Sequence, residues 1–527
     1  MRSKPFRAAV SVLAALGVVL VGGCGPVSPG EAAQARQALI GPDGSMTFQL
    51  PSRPGGFDPF AVPGSADAML AAAQFEPLVT AVDGRIMPRA ADWWGTANEG
   101  RTLIFTIRRG HWSDGVRMGA GDLVFTLERH LAPGSRSPLL PTLLRIEGAK
   151  DFHEGRSQHV SGIVADTSRG VLVTLTEPEL NYLSRITGLL VLPRHIYADS
   201  ALTPEDFREP RVGSGAYVFD RWGADGSTVF LEPNATIQPH TRLTGVVGRV
   251  VAPQDVSDVL RSDPTALDVA VRIPGRDLAD VPRDLFNVAQ APGDRMVGLT
   301  ARGGGPLADV KVRQAMAFAL DRRGVLERQL AGNGRVVDSV LFAPDWAASP
   351  DRAEHPHDPA RARELLAAAD WDRGMRVRIA VLTTDGDPAT WNALAANLAD
   401  VGVNAEFTIH APDERPAILA DPAVDAVVET YRMAVPDPGL AESWVMCGAP
   451  SGYCNPTLDA LLVKGRGQLV ATERQETYRR ADEILSNELP VIPLWVPDAA
   501  VAVTKGRAGV NPLVQPETAV IDLWGAA

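Results

Sequence analysis

Residues 1–24 decide the compartment in which the rest of this chain must fold. Arg2, Lys4 and Arg7 lead into residues 8–21, which are almost wholly apolar. A membrane-spanning helix takes about 20 apolar residues, so this run is too short for a comfortable span. A basic start before a short apolar run has the pattern of a secretory signal. Past Cys24 the chain holds only Cys447 and Cys454, with Gly448, Pro450 and Gly452 between them to let it turn back. In an oxidising compartment such a pair is expected to form a disulfide. A zinc site needs more ligands, and no second Cys or His pair lies near in sequence.

The apolar run closes on Val21-Gly22-Gly23-Cys24. Small residues directly before a cysteine resemble a bacterial lipobox, in which Cys24 is lipidated and becomes the first mature residue. Residues 1–23 are then the signal peptide. Residues 24–44 form the lipidated N-terminus and a tether whose Pro, Gly, Ala and Gln content favours flexibility. The body that remains is long enough for two or three domains. Its 45% hydrophobic and 22% charged residues are those of a globular protein. The whole chain carries a formal charge of −12, and loss of the basic signal makes it more negative. An acidic body argues against nucleic acid and against a basic membrane-hugging surface.

Strand and helix patterns alternate along this body, so the fold class is α/β. Leu103, Phe105 and Ile107 recur with the period of a half-buried strand, as do Val171, Val173 and Leu175. Asp122 is expected to cap a helix through Leu123, Leu127 and Leu131, and Asp309 one through Val312, Ala315 and Met316. Asp358-Pro359 reads as a cap followed by a first-turn proline. Thr472 and Gln475 have capping-box spacing, and Pro490 and Pro493 end that helix before a strand over residues 491–496. Gly100, Gly110 and Gly115 suit turns with positive φ, and Trp112 suits a core or turn anchor. Arg313 and Asp309 read as a surface pair on one helix.

Several segments resemble, in order, the peptide-binding proteins of ABC importers, the dipeptide/oligopeptide family of solute-binding proteins. They are Phe75-Glu76-Pro77-Leu78-Val79, Asp83-Gly84-Arg85-Ile86-Met87-Pro88, and the run over residues 100–115 that ends in Arg109-Gly110-His111-Trp112-Ser113-Asp114-Gly115. Gly213-Ser214-Gly215-Ala216-Tyr217, Asp309-Val310-Lys311-Val312-Arg313-Gln314-Ala315, Ala368-Ala369-Asp370-Trp371 and Val401-Gly402-Val403 follow. The resemblance implies a two-lobe fold of the periplasmic-binding-protein type, class II and large cluster C, with an extra subdomain in lobe I. It places lobe I at 45–296, lobe II at 297–490 and the return to lobe I at 491–527. Ligand is enclosed between the lobes by hinge closure. A binding protein of this kind is expected to be a monomer without cofactor, anchored outside the cytoplasmic membrane and serving an ABC permease there.

The family usually holds a free peptide amine with an Asp just before an Asp-Pro turn. Here that stretch is Tyr431-Arg432-Met433-Ala434-Val435-Pro436-Asp437-Pro438, and Ala434 occupies the Asp position. Tyr431, Arg432, Met433, Ala434 and Val435 are expected to form a ligand-facing edge, with Asp437 as the candidate amine partner. Relatives that hold a peptide C-terminus place Arg or His in the loop before the helix leading to Val401-Gly402-Val403. That loop here is Thr383-Thr384-Asp385-Gly386-Asp387, with two acids and no base. A buried carboxylate without a cation is costly, so no ligand carboxylate is expected there. Arg432 can grip one with two bonds, or simply pair with a nearby acid.

Three readings follow. In the first, a peptide long enough to need no terminal anchors is held mainly through its backbone, as in strand addition, with hydroxyl bonds from Ser65, Thr383 and Thr384. In the second, the ligand is haem, a metal chelate or another non-peptide solute; Tyr431 is then the candidate axial partner, while His355 and His357, in a Pro-rich loop, are expected to be exposed. In the third, a regulatory lipoprotein has kept the fold and lost transport. Enzymatic signatures are absent: His153-Glu154 and His159 lack zincin spacing, Gly213-Ser214-Gly215 lacks the nucleophile elbow, and Gly303-Gly304-Gly305 runs into Pro306 without a phosphate-loop lysine. A binding protein, and not an enzyme, is the expectation.

Overall fold

The computed structural model describes residues 44–506, apart from 62–64, 83–84, 238–242, 272, 292, 344, 384–385, 412–413, 434 and 450. The signal, Cys24 and most of the tether lie outside the described residues, as do Thr384, Asp385 and Ala434. Among the described residues no helix is long and apolar enough to cross a membrane.

Two large sheets organise the chain. The first has seven strands in the order Phe286–Ala291, Ala499–Thr504, Val269–Val271, Ser45–Leu50, Gly245–Val250, Thr228–Pro233 and Tyr217–Trp222. Ser45–Leu50 lies parallel to Gly245–Val250, with Ser45 opposite Gly245 and Leu50 opposite Val250. One face buries Phe48, Tyr217, Leu231 and Val246, and the other Leu260, Ala270, Phe286 and Ala502. Burying each of the large side chains among these, such as Phe48, Leu231 and Phe286, contributes about 1.5–3 kcal/mol. The second sheet has six strands, Gly334–Val336, Val491–Pro497, Arg295–Ala301, Ala426–Arg432, Arg376–Val381 and Asn404–Ile409. Its core joins Val297, Leu299, Val428 and Trp495 to the helices Val310–Ala319, Pro359–Ala368 and Pro388–Asp400.

A four-stranded antiparallel sheet, Ala91–Ala97, Thr102–Ile107, Gly170–Thr174 and Ile163–Ala165, forms a separate layer with its own core around Leu103, Phe105, Trp112 and Leu123. It is inserted between the first strand of the seven-stranded sheet and the next, and corresponds to the extra subdomain of the first lobe. The chain leaves the first large sheet after Ala291 and enters the second at Arg295. It leaves the second after Pro497 and re-enters the first at Ala499. The change of sheet thus falls a few residues from the expected 297 and 490, because Arg295–Ala301 and Val491–Pro497 pair with each other wholly inside the second sheet.

Local chemistry explains these elements, with some departures from the sequence reading. Asp309 caps Val310–Ala319 by accepting the Lys311 N–H at 2.8 Å, and Asp358 caps Pro359–Ala368 through the Arg361 N–H at 2.9 Å. Asp122 is not a cap residue: its helix begins at Ala120, and its carboxylate reaches back to the Gly119 N–H at 2.9 Å. Thr472 likewise sits inside Ala471–Glu488, after Val470. Gly100 and Gly115 have φ of 87°, but Gly110 is not in the left-handed region. Trp112 is fully buried. Gly213-Ser214-Gly215 has a packing role, since Ser214 and Gly215 both donate to the Gln74 carbonyl at 3.0 Å and a side chain at Gly215 would meet the Ala73 carbonyl. Arg313 is no surface residue: it is buried and donates to the carbonyls of Leu307, Ala308 and Glu488. Cys447 and Cys454 are joined by a disulfide.

His355, expected to be exposed, is buried against Phe318, with ring centroids 5.0 Å apart. Burial, then the Arg322 charge, pushes its pKa down to about 4. His130 is buried with its Nδ1 2.6 Å from the Ser137 hydroxyl, and burial, then Arg136, takes it down to about 3. Both folded values lie below the ordinary 6.5, so the unfolded chain binds these protons first. The stability they contribute is complete above about pH 6.5 and is lost as pH falls toward 4. The melting temperature is expected to drop across that window, and His355→Gln to flatten the drop. Parallel pH profiles for the two proteins, followed by circular dichroism, would remove His355 from the account.

Candidate functional site

The strand Ala426–Arg432 ends where the two lobes meet, and the segment after it carries most of the residues singled out in sequence. Thr430 on this strand bonds through its hydroxyl to the Thr383 hydroxyl, 2.6 Å away, which ties the strand to the loop at 383–387. At the far end of that loop, Asp387 caps Pro388–Asp400 by accepting the Thr390 N–H at 2.8 Å and also takes an ion pair from Arg276 of the first lobe. Burial pushes the Asp387 carboxyl up, but the Thr390 bonds and the Arg276 charge outweigh it and leave the pKa lowered. The loop has no base of its own, yet it receives one from across the cleft.

Tyr431 is buried, its ring 4.9 Å from that of Trp444. Its hydroxyl meets the Thr300 hydroxyl and lies 3.3 Å from Glu429 Oε1. Burial first, then the Glu429 charge, raises its pKa well above the ordinary 10, so the hydroxyl keeps its proton. With Thr300, Arg415, Glu429, Trp444 and Ser451 it lines a recess on the second lobe. Arg415 is bonded there to Glu429 at 2.7 Å. Met433 and Val435 are buried. Arg432 pairs with Asp294 at 2.9 Å, at the point where the chain crosses between lobes. The bland reading of Arg432, a pair with a nearby acid, therefore describes its geometry.

Asp437 is also occupied. It caps the turn Pro438–Ala441 by accepting the Gly439 N–H at 2.9 Å. Arg474 donates to both of its oxygens, at 3.0 and 2.8 Å, and Asn181 of the first lobe donates to Oδ1 at 2.9 Å. Burial opposes the charge on Arg474, but Asp437 more than offsets it and raises the Arg474 pKa. Arg432 and Asp437 thus each contact a residue outside the second lobe, Asp294 at the crossing and Asn181 of the first lobe. Ser65 lies apart from these residues as the cap of Ala66–Gln74, accepting the Ala68 N–H at 3.2 Å.

The sequence reading brought together Thr383, Tyr431, Arg432, Met433, Val435 and Asp437, and missed Arg276, Asn181, Glu429 and Arg474. Nothing near these four in sequence marks them, since each acts through its pairing in the fold. Among the described residues no group of three His, Cys, Asp or Glu side chains is placed to hold a metal ion. The arrangement is one of enclosure: charged groups around the segment are met by protein partners, and polar hydroxyls and backbone remain.

Arg474→Met tests this electrostatic accounting. It leaves Asp437, mostly buried, without its cation, which typically costs about 3–5 kcal/mol. Urea unfolding is expected to show a loss of that order. A loss below about 1 kcal/mol would place the pair among weak surface bridges.

Comparison with known proteins identifies the family and the fold. Residues 85–444 match the family described as bacterial extracellular solute-binding proteins, family 5 Middle. A probable di/tripeptide-binding protein 5 of Pseudomonas aeruginosa is 23% identical over 455 residues, 79% of this chain and 82% of that protein. The binding protein AgaA of A. tumefaciens R10, solved with agropinic acid, superposes with a TM-score of 0.80 at 21% identity, over 91% of this chain and 98% of the other. The oligopeptide-binding protein AppA of Bacillus subtilis, solved with a nonapeptide, gives 0.76 at 17% identity, over 91% and 98%. The chain belongs to family 5 of the bacterial extracellular solute-binding proteins.

Proposed function

We propose that the protein captures short peptides between its lobes and delivers them to the permease of an ABC importer. Family membership and the di/tripeptide-binding relative support the peptide class. The observation that carries the mode of binding is the state of Asp437, held by Arg474 and Asn181 beside a segment where Ala434 replaces the usual amine anchor. With Asp437, Arg432 and Asp387 each paired within the protein, the described charges around the segment offer no unpaired grip for a free terminus. The peptide is held mainly through its backbone, in the manner of an added strand, and closure follows to the extent that the closed form binds it more tightly. The recess by Tyr431 receives a side chain. The protein acts by binding and presentation, without turnover of its ligand.

Native mass spectrometry of the purified protein, followed by denaturation and identification of what is released, tests the peptide reading. A mixed set of short peptides is the expected result. One coloured or metal-bearing species would overturn it in favour of haem or a chelate.

The same proposal includes export and anchoring: cleavage before Cys24, lipidation of that cysteine, and a tether that holds the body at the outer face of the cytoplasmic membrane. Cys24→Ser is expected to move the protein from the membrane fraction to the soluble extracytoplasmic fraction. A variant that stays with the membrane after a high-salt wash would show that another segment anchors it.

A further inference from the structure

The recess beside Tyr431 has a charge of its own. Val427, Glu429 and Tyr431 alternate along Ala426–Arg432 and so share one face of the sheet, and Thr300 stands opposite Val427 on the neighbouring strand. These four line the recess, which holds about 380 Å³ of space, its open mouth included. Ser443 and Trp444 line it as well. They follow directly on Glu442, whose carboxylate meets Arg145 and Arg185 of the first lobe at 3.0 Å each. The recess therefore lies next to a contact between the lobes.

Its lining carries two guanidiniums, Arg302 and Arg415, against one carboxylate, Glu429. Glu429 is engaged on both oxygens. Arg415 reaches Oε2 at 2.7 Å and Oε1 at 3.4 Å, and the Tyr431 hydroxyl lies 3.3 Å from Oε1. Arg302 pairs with no carboxylate among the described residues. Its N–H groups go to the carbonyls of Leu419, Asp421 and Val424, which satisfy donors but carry only partial charge. One positive charge is left over, in a chain whose formal charge is −12. Donors accompany it: Nη1 of Arg415 has no partner among the described residues, and Ser451 accepts the Tyr453 N–H at 3.3 Å, which leaves its own O–H to donate. Leu419, Val427 and the Trp444 ring supply an apolar wall.

We infer that this recess selects a peptide carrying an acidic side chain, glutamate or aspartate. The carboxylate enters beside Arg302 and Arg415, where hydrogen bonds between charged partners are the strong kind, and the methylene stem lies on the apolar wall. A lysine or arginine side chain would meet two like charges and would have to take Glu429 from Arg415. A neutral apolar side chain would strip water from Arg302 and return no bond. The inference rests on the proposed binding of peptides and deepens it by naming the side chain. A terminal carboxylate has the same chemistry, so the two sources are separated in the test.

Competition among alanine pentapeptides tests it. The peptides are acetylated and amidated at their ends and carry one Glu, one Gln or one Lys at each position in turn. They are offered at equal concentration to protein stripped of ligand by unfolding and refolding, and the bound peptides are released and counted by mass spectrometry. The Glu set is expected to be preferred over the Gln set by about ten-fold, and over the Lys set by more. Arg302→Gln is expected to bring the Glu and Gln sets to equal occupancy, and Arg302→Lys to keep part of the preference. Glu429→Gln removes the opposing carboxylate and is expected to widen the preference; it decides the matter if circular dichroism shows Arg302→Gln unfolded. Equal occupancy of the Glu and Gln sets on wild type overturns the inference, as does a preference that neither variant moves. An all-alanine free acid that outcompetes its amide while the Glu set does not outcompete the Gln set would also overturn it, by giving the recess to the peptide's terminus. A wild type that binds none of the peptides, neutral ones included, overturns the peptide reading itself and this inference with it.

Discussion

The two strands that carry the chain across the molecule pair with each other. Arg295–Ala301 enters the second lobe beside Val491–Pro497, which leaves it, and Val297 faces Trp495 while Leu299 faces Ile492. Two adjacent, hydrogen-bonded connections cannot slide independently, so the lobes are free to swing about that pair and little else. At the crossing the fit is tight: Gly293 lies against the Pro497 carbonyl with no room for a side chain, and Arg432 is bound to Asp294. The strand Ala426–Arg432 is the neighbour of Arg295–Ala301 in the same sheet, so the segment after it emerges beside the hinge.

Charge pairing then defines what the interface between the lobes can do. Arg276–Asp387, Asn181–Asp437 and the Glu442 group all join residues from different lobes. Burying charges is expensive unless each finds a partner with good geometry, and these pairings meet that condition only in part, since Glu442 Oε1 and Asn181 Oδ1 are buried without a hydrogen-bond partner. A chain with these partners gains specificity for one closed geometry more than it gains raw stability. The recess at Tyr431 is lined by none of the residues in these pairs.

Much of the architecture was legible in the chain because it rests on local chemistry. Alternating Leu103, Phe105 and Ile107 form a strand with all three side chains buried, and Asp309 and Asp358 are caps because a carboxylate beside free N–H groups has one good conformation. Asp122 and Thr472 misled by position only: acids and hydroxyls also serve inside the first turn. Arg313 misled for a deeper reason. Its side chain satisfies carbonyls at Leu307, Ala308 and Glu488, and the last of these is distant in sequence. The same distance hid Asn181, Arg276 and Glu442, whose partners lie 256, 111 and 297 residues away. The segment at 431–437 was found by resemblance, while the partners that neutralise its charges came only with the fold.

The position of Ala499–Thr504 has a consequence for the order of assembly. This late strand lies inside the seven-stranded sheet, between Phe286–Ala291 and Val269–Val271. An exported chain emerges from its N-terminal end, so the first lobe stands with an open seam while the whole second lobe is still being threaded. The second lobe is one continuous insert and closes its own sheet before the seam is filled. Such long-range pairing is slow to form and exposes unpaired edges meanwhile. The sheet of the first lobe, which begins with Ser45–Leu50, is therefore complete only once Ala499–Thr504, the last described strand, is in place.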